Sequence, residues 1–299
     1  MRVHQRADTG RPPALSPAAD RPPDPPATAV PAPAAPSAAA RLRAVPDAAL
    51  GVLGIVLFAA VLELLPRLGA VPAKYLPPFS EMLGALGDEL GSGAFWTALL
   101  DTVEGWAYGL AIALVAGTVL GLVIGSVEVL RKATASTIEF LRPIPSVALI
   151  PLAVLVLGTG LGSTLLLVVY AAFWPVLLQV LGGVRDVDPV ARDTAVGYGF
   201  SPWARLRHVV WPTTLPYLMT GLRLAASVAL ILTVSSQLII GSPGLGSEIA
   251  RAQSSNAIPR MYALVLVAGA LGVCVNVLAR ALERRVLSWH TSVRTEARA

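Results

Sequence analysis

The sequence is short of the residues that form disulfides, metal sites and charged surfaces. It has one cysteine, Cys274, and three histidines, and 14% of its residues are charged, against roughly 25% in soluble proteins. A single cysteine excludes an intrachain disulfide, and we expect Cys274 to be a small side chain in an apolar core. The histidines are too far apart in sequence to suggest a ligand pair, so we expect no metal site.

Lysine is scarce as well. Neither of the two lysines, Lys74 and Lys132, follows a glycine, whereas a P-loop requires the sequence Gly-Lys-Ser/Thr so that the lysine reaches the phosphates. Two glycine-rich stretches, 158–162 and 241–246, lack the strand and helix of a nucleotide-binding unit, and we interpret them as turns. The chain therefore has no nucleotide-hydrolysing site of its own, and we expect it to bind no cofactor.

Apolar residues, in contrast, are abundant. They make up 55% of the chain, which has a mean hydropathy of +0.68, and about 20 such residues in a helix cross the hydrocarbon core of a bilayer. The third apolar run reaches that length only if it is extended back through Phe140. The pattern predicts an all-α, polytopic membrane protein with six transmembrane helices, at 48–65, 106–127, 145–157, 163–184, 215–240 and 262–282.

The segments outside these runs have a different composition. Residues 1–47 hold 11 of the 25 prolines and too few bulky apolar residues to fold, so we expect a disordered tail. The transmembrane domain then covers 48–290, with a short tail at 291–299. Between the first two spans, 76–100 is interpreted as an amphipathic segment at the outer surface, with Ser80 capping a helix over 81–90.

The basic residues define an orientation. Arginines and lysines are retained on the cytoplasmic side during insertion, and placing both termini in the cytoplasm puts 17 of the 23 on that side. Four then lie outside, namely Arg67, Lys74, Arg251 and Arg260. Because the basic residues flank membrane segments, we expect lipid and not nucleic acid as their surroundings, despite a pI of about 9.8.

A small residue recurs at every fourth position of the second span. In lipid, such a ridge lets another helix approach closely, because van der Waals contact replaces the absent hydrophobic drive. The ridge predicts a buried central helix. Its members are Gly105, Gly109, Ala113, Gly117, Gly121 and Gly125.

The loop after the fourth span, within 185–212, is long and predicted to be cytoplasmic. Its residues from Arg192 to Gly197 suit a short helix, Gly199 permits the turn that ends it, and Ser201 followed by Pro202 can cap and start a second helix over 203–210. That second helix would expose two arginines, Arg205 and Arg207. A proline, Pro212, is expected to break it before the fifth span.

At this loop the sequence resembles the EAA loop of ABC importer permeases, whose pattern is E-A-A, three residues, G, nine residues and I-x-L-P. Asp and Thr replace the first Glu and Ala of that pattern, which keeps the sign of the charge and the small size. In the family, this loop couples the permease to the ATPase. The residues that the resemblance assigns to coupling are Asp193, Thr194, Ala195, Gly199, Trp203, Arg205, Val209 and Pro212.

The resemblance extends from about Ala48 to His290 and is closest to the nitrate/taurine/sulfonate type, the binding-protein-dependent transport system inner membrane components. Segments that carry it include 141–152, 173–175, 215–223 and 283–285. It implies a type I importer in the cell membrane that hydrolyses no ATP itself. Its partners would be a second permease copy, cytoplasmic ATP-binding subunits and an extracytoplasmic binding protein, and its solute a small anion such as a sulfonate, taurine or nitrate.

One polar cluster interrupts the fifth span, at Ser235, Ser236 and Gln237. Polar groups inside spans often mark a transport pathway, but they also form hydrogen bonds between helices, and both interpretations stay open. Relatives usually carry glutamate at the position of Gln237, so its neutrality would suit an anionic or neutral solute.

Other functions predict other patterns. A secondary transporter would show ionisable groups or broken helices near the midplane of two repeated halves. A membrane enzyme would show convergent carboxylates, histidines or metal ligands. Neither pattern is visible, so the main alternative is an ABC importer branch for another solute, such as an amino acid or betaine.

Overall fold

The structure is a computed structural model that describes residues 47–288. The predicted tails, 1–47 and 291–299, lie outside this range apart from Asp47. Within the range there is no β-strand. The α-helices are α1 Asp47–Arg67, α2 Phe79–Leu90, α3 Gly93–Ser126, α4 Glu128–Leu141, α5 Ile150–Leu157, α6 Leu161–Arg185, α7 Pro189–Gly197, α8 Pro202–Arg205, α9 Trp211–Ile240, α10 Leu245–Ser254 and α11 Ile258–Val286.

Two compact units divide the described chain after Gly54. In the first, the described residues form only the opening turns of α1. The second, from Ile55 onward, holds the remaining helices and their apolar core.

Among residues 47–288, five helices are long and apolar enough to cross a membrane. They are α1, α3, α6, α11 and the continuous helix Pro202–Ile240, which joins α8 to α9. Each overlaps a predicted span and is longer than it. The predicted start of the second span at residue 106 was wrong, because α3 already begins at Gly93.

The third predicted span is present as a bent pair. Its halves, α4 and a second half that starts with a 3₁₀ turn at Ser146–Leu149, meet at 82°. Two prolines, Pro143 and Pro145, explain the break, because each lacks a backbone donor and disfavours helix at the residue before it. The hydroxyl of Tyr170 on α6 donates to the Leu141 carbonyl at 2.6 Å and fixes the bend against that helix.

The contact between α3 and α6 shows that the bent pair crosses the bundle. Along α3, the ridge glycines Gly117, Gly121 and Gly125 lie against Val176, Val180 and Val184 of α6, in the same order. The two helices are therefore parallel, and the chain between them must return to the end where α3 began. The bent pair is thus the sixth crossing of the predicted fold and not a re-entrant loop.

The small-residue ridge is buried as predicted. A Cβ atom added at Gly117, Gly121 or Gly125 would come within 2.7 to 2.9 Å of a valine side chain of α6. The helix as a whole is not central, however, since Val115 and Val119 on its other face are more than half exposed. One face of the helix belongs to the core, and it includes the ridge and neighbouring residues such as Leu110.

The expected capping role of Ser80 was wrong. The helix α2 starts at Phe79, and its cap residue, Pro78, has no side-chain hydrogen bond. Instead, Glu63 of α1 accepts from the Ser80 backbone N–H at 2.9 Å and from its hydroxyl at 3.0 Å. A distant carboxylate therefore satisfies a free N–H group of the helix start, which local sequence cannot reveal. The predicted segment 76–100 is accordingly divided between α2 and the first turns of α3.

Candidate functional site

The loop between α6 and α9 begins with a capped helix. Asp188 accepts a hydrogen bond from the Val190 N–H at 2.8 Å, and Pro189 occupies the first position of α7, where its missing N–H costs nothing. The helix starts three residues earlier than the predicted Arg192 because of this cap. Its end at Gly197 agrees with the prediction.

Gly199 makes the predicted turn. Its φ of +73° lies in the left-handed region, and its N–H donates to the Val196 carbonyl while the Phe200 N–H donates to Ala195, both at 2.9 Å. This pair of bonds is a Schellman motif, which ends a helix by satisfying its last carbonyls. A Cβ atom at Gly199 would meet no atom of the described part of the chain within 4 Å. The restriction on this residue is therefore conformational and not steric.

The second half of the loop continues directly into the fifth span. Ser201 caps it as predicted, accepting from the Ala204 N–H at 3.2 Å. The predicted break at Pro212 was wrong, because a π turn at Leu206–Val210 joins α8 to α9 without interruption. The wider π turn lies just before Pro212 and gives its ring room beside the preceding turn.

The coupling residues are divided between the surface and the interior of this chain. Asp193 and Thr194 are exposed, whereas Ala195 is buried against the rest of the loop. Trp203 is 69% exposed, and it is joined by Val190 at 71% and Tyr198 at 80%. The loop thus presents an apolar and aromatic surface, which is unusual for an unpartnered segment.

Arg205 was expected to be exposed and is half-buried instead. Its Nε is buried and has no hydrogen-bond acceptor among residues 47–288. The side chain lines a cavity of about 430 Å³ together with Arg192, Ser126 and the half-buried Val209. The reason is its helical position, which directs it toward the end of α3, while Arg207 on the outer side is exposed.

The polar cluster of the fifth span lies at a junction of three elements. Gln237 is 2% exposed, and its Oε1 accepts from the Thr102 hydroxyl of α3 at 2.9 Å and from the Gly246 N–H at 3.3 Å. Ser236 is buried and donates to Thr233 within its own helix, and Ser235 is half-buried. This geometry favours the hydrogen-bonding interpretation for Gln237. A role for the cluster in the transport pathway stays a prediction.

Sequence reasoning missed two groups of polar residues. Thr102 was not singled out, although a threonine in an apolar span was the available signal. The second group is an ion-pair network in which Arg260 contacts Glu89 at 2.6 Å and Glu248 at 3.2 Å, while Arg251 contacts Glu248 at 2.8 Å. It joins α2, α10 and α11, and no spacing in the sequence indicates that these helices meet.

The expected place of Cys274 was wrong as well, because this residue is exposed on α11 and not in the core.

Comparison with known proteins identifies the family. The model of the binding-protein-dependent transport system inner membrane component matches residues 109–288. The chain belongs to this family. It is 31% identical over 224 residues to the taurine transport system permease protein TauC of Escherichia coli (strain K12), which covers 73% of this chain and 82% of TauC.

Two further comparisons agree. The putative aliphatic sulfonates transport permease protein SsuC of Bacillus subtilis (strain 168) is 27% identical over 246 residues, covering 81% of this chain and 88% of SsuC. The solved inward-facing structure of the MetNI methionine ABC transporter gives a TM-score of 0.51 at 19% identity. The match covers 64% of this chain and 93% of the matched chain of that structure. The expected type I importer permease fold is confirmed by this likeness.

The family establishes what kind of protein this is. It is a multi-pass inner membrane protein and the permease subunit of an ABC importer, and it is a transport component and not an enzyme. A subunit of this kind works with a separate ATPase and with a substrate-binding protein.

Proposed function

We propose that two copies of this chain form the path for a small anion such as a sulfonate, taurine or nitrate, with both chain ends in the cytoplasm. Each copy docks one ATP-binding subunit through residues 193–212, and a binding protein delivers the solute to the outer face. The permease binds no cofactor, and the partner ATPase binds and hydrolyses ATP. Movement of the two loops exchanges inward-open for outward-open arrangements, which is coupling through a bistable element.

The exposed aromatic surface of the loop is the observation that supports coupling. Trp203 and Tyr198 are rigid, mostly exposed side chains, and such residues dominate the energetics of protein interfaces. They are held by two capped helices on either side of the Gly199 turn, so the surface is preorganised and loses little entropy on binding. An extended flexible loop would transmit movement of the ATPase poorly.

The solute class rests on the relatives and on charge. Two of the similar proteins are named as permeases for taurine and for aliphatic sulfonates. Several arginines on the predicted inner side, such as Arg142 and Arg185, form no ion pair among residues 47–288, which favours an anion there. The amino acid or betaine branch is the alternative, and the likeness to the methionine transporter supports only the fold.

A substitution at Gly199 tests coupling. A valine strains the left-handed backbone of this residue, so we expect Gly199→Val to abolish co-purification of the ATPase and ATP-dependent uptake of taurine while the permease stays folded in the membrane. Asparagine tolerates that conformation, so Gly199→Asn should retain both. The matched control is Gly197→Val, since Gly197 has no positive φ and open space around it. Full uptake by Gly199→Val would refute the coupling role.

A further inference from the structure

The bend in the third span borders a pocket that neither the coupling loop nor Gln237 lines. The pocket has a volume of about 500 Å³ and lies between the bend, the middle of α6 and Leu224 of α9. The second half of the pair is apolar, whereas α4 carries four charged side chains. The pocket lies level with the middle of α6, a membrane-spanning helix, and polar groups at this depth require an explanation. Those that line the pocket belong to Arg142, Ser146, Tyr170, Trp174 and Gln179.

Trp174 supplies a hydrogen-bond donor without an acceptor. Its Nε1 is buried and unpaired among residues 47–288, a condition that costs about 1–3 kcal/mol. The indole is fixed edge-on against Tyr170 and Phe173, with ring centroids 5.7 and 5.1 Å away. Packing therefore fixes the indole, which lines the pocket, and prevents it from turning toward an acceptor.

Pro175 adds an open acceptor at the same level. Because proline has no N–H, the carbonyl of Ala171 lacks its usual helical partner, and both residues line the pocket. Irregular backbone inside a membrane is tolerated where it borders a polar cavity. The middle of α6 thus has a donor and an acceptor without partners near the bend. The donor suits the oxygens of an anion, whereas the Ala171 carbonyl accepts only from an N–H or O–H group.

Positive charge dominates the route from this pocket to the basic end of α6. A neighbouring pocket of about 650 Å³ shares Arg142, Pro143 and Leu178 with the first. It adds two arginines, Arg131 and Arg185, and one carboxylate, Glu139. Neither Arg142 nor Arg185 has an ion-pair partner in the described range. A cleft with such an excess concentrates anions.

The two predicted sides of the molecule differ in how their arginines are paired. The arginines of the opposite, predicted outer side all have carboxylate partners, with Arg67 on Glu63, Arg251 on Glu248 and Arg260 on Glu89. Retention of basic residues during insertion explains the arginines at the end of α6, such as Arg185. It does not explain why Arg142 shares a pocket with an unpaired indole donor at the middle of α6.

We propose that the pocket between Arg142 and Trp174 binds the oxyanion group of the translocated solute, with the Arg142 guanidinium and a pocket N–H donating to its oxygens. The proposal rests on the proposed function, because it assigns the anionic solute of the importer to named residues. Tyr170 is a positioning residue that holds the bend, and with it Arg142, against α6. The oxygens of an anionic lipid headgroup have the same chemistry, and the test must separate these two sources.

The test uses a cysteine in the pocket and thiol reagents of opposite charge. In a Cys274→Ser background, Ser146→Cys is labelled in the purified permease with 2-sulfonatoethyl methanethiosulfonate, itself an alkyl sulfonate, and with its trimethylammonium counterpart. Each rate is divided by the rate of the same reagent with Val147→Cys, which lies outside the pocket. We expect the normalised rate of the sulfonate to exceed that of the trimethylammonium reagent on the order of tenfold. A second pocket probe, Gln179→Cys, serves if Ser146→Cys does not yield folded protein. A normalised ratio near one would refute the proposal.

Matched charge variants separate the pocket from general surface charge. Arg142→Gln should abolish the preference, whereas Arg207→Gln, which removes the same charge from an exposed helix face, should leave it. An equal loss in both variants would refute the proposal, because it would show a diffuse field of the basic surface.

The lipid source is separated by competition. Labelling is repeated in phosphatidylcholine vesicles with and without phosphatidylglycerol, and free ethanesulfonate is added to each. Protection by ethanesulfonate in both vesicle types supports a solute site, and protection only by phosphatidylglycerol refutes it in favour of a headgroup. The labelling needs no ATPase. A negative labelling result therefore does not change the interpretation of the Gly199→Val experiment, and a negative coupling result does not change the interpretation of the labelling.

Discussion

Gly117 of α3 lies directly against Val176 of α6, so that a Cβ atom on the glycine would be 2.8 Å from the Cβ of the valine. The backbone N of Leu177 would be 3.2 Å away. Side chains cannot relieve an overlap that involves a β-carbon and the backbone. The two helices therefore pack at a separation that only glycine permits, and this contact also sets their parallel register.

The first prediction is that Gly117→Ala destabilises the permease. Overpacking of this kind costs about 1–3 kcal/mol, and we expect a lower apparent melting temperature in detergent. Shortening the opposing side chain should not restore the loss, because Val176→Ala keeps the β-carbon and the backbone that overlap. The double variant Gly117→Ala, Val176→Ala should therefore melt no higher than Gly117→Ala alone. Gly269→Ala on α11 is the control, because open space surrounds that position. Equal melting of Gly117→Ala and Gly269→Ala would contradict the packing role.

The ridge shows what sequence can predict about this fold. A period of four in small residues marks a face for close helix contact, and that face is buried. The partner of the face could not be predicted, because valines such as Val176 and Val180 are ordinary in an apolar span. In the same way, Ser80 has the right type for a helix cap, but the acceptor that acts there is Glu63, from another helix.

The second prediction concerns Gln237. Its Oε1 is the acceptor for the Thr102 hydroxyl and the Gly246 N–H. The Thr102 hydroxyl can also donate to the Ala98 carbonyl, so Gln237→Leu leaves the buried Gly246 N–H unpaired, at a cost of about 1–3 kcal/mol. We expect a lower melting temperature. Adding Thr102→Val should lower it further by less than Thr102→Val does alone, because the two residues share one hydrogen bond.

Gln237→Glu separates structure from transport. A carboxylate can accept both hydrogen bonds, and the side chain has nearly the same size. If the residue only joins helices, solute preference and uptake rate should be unchanged. Altered preference at an unchanged melting temperature would instead favour the pathway interpretation of Ser235, Ser236 and Gln237.

The coupling loop was predictable wherever its chemistry is local. Gly199 and Ser201 act through their own backbone and their near neighbours, and both behave as the sequence indicates. Arg205 and Pro212 depend on how the loop continues into α9, and there the prediction failed. The π turn between them has no sequence signature that would distinguish it from an ordinary helix.

The third prediction tests that continuity. Because the helix runs through Pro212 without a break, Pro212→Ala should leave both the melting temperature and ATPase co-purification close to those of the original chain. If Pro212 broke the helix, it would redirect the chain, and its loss would impair docking of the ATPase. Strongly reduced co-purification would contradict the continuous helix.

The fourth prediction concerns Arg260, whose guanidinium contacts both Glu89 and Glu248. These carboxylates are 11% and 10% exposed, so Arg260→Ala leaves two poorly solvated negative charges close together. Hydrogen bonds to charged groups are worth about 1.5–3 kcal/mol, and we expect a loss of that order in thermal stability, with partial recovery in Arg260→Lys. Arg251→Ala is the matched comparison, because Arg251 also pairs with Glu248 but is 66% exposed. An exposed pair contributes about 0–1 kcal/mol, so a loss in Arg251→Ala as large as that in Arg260→Ala would show that burial does not decide the strength of this network.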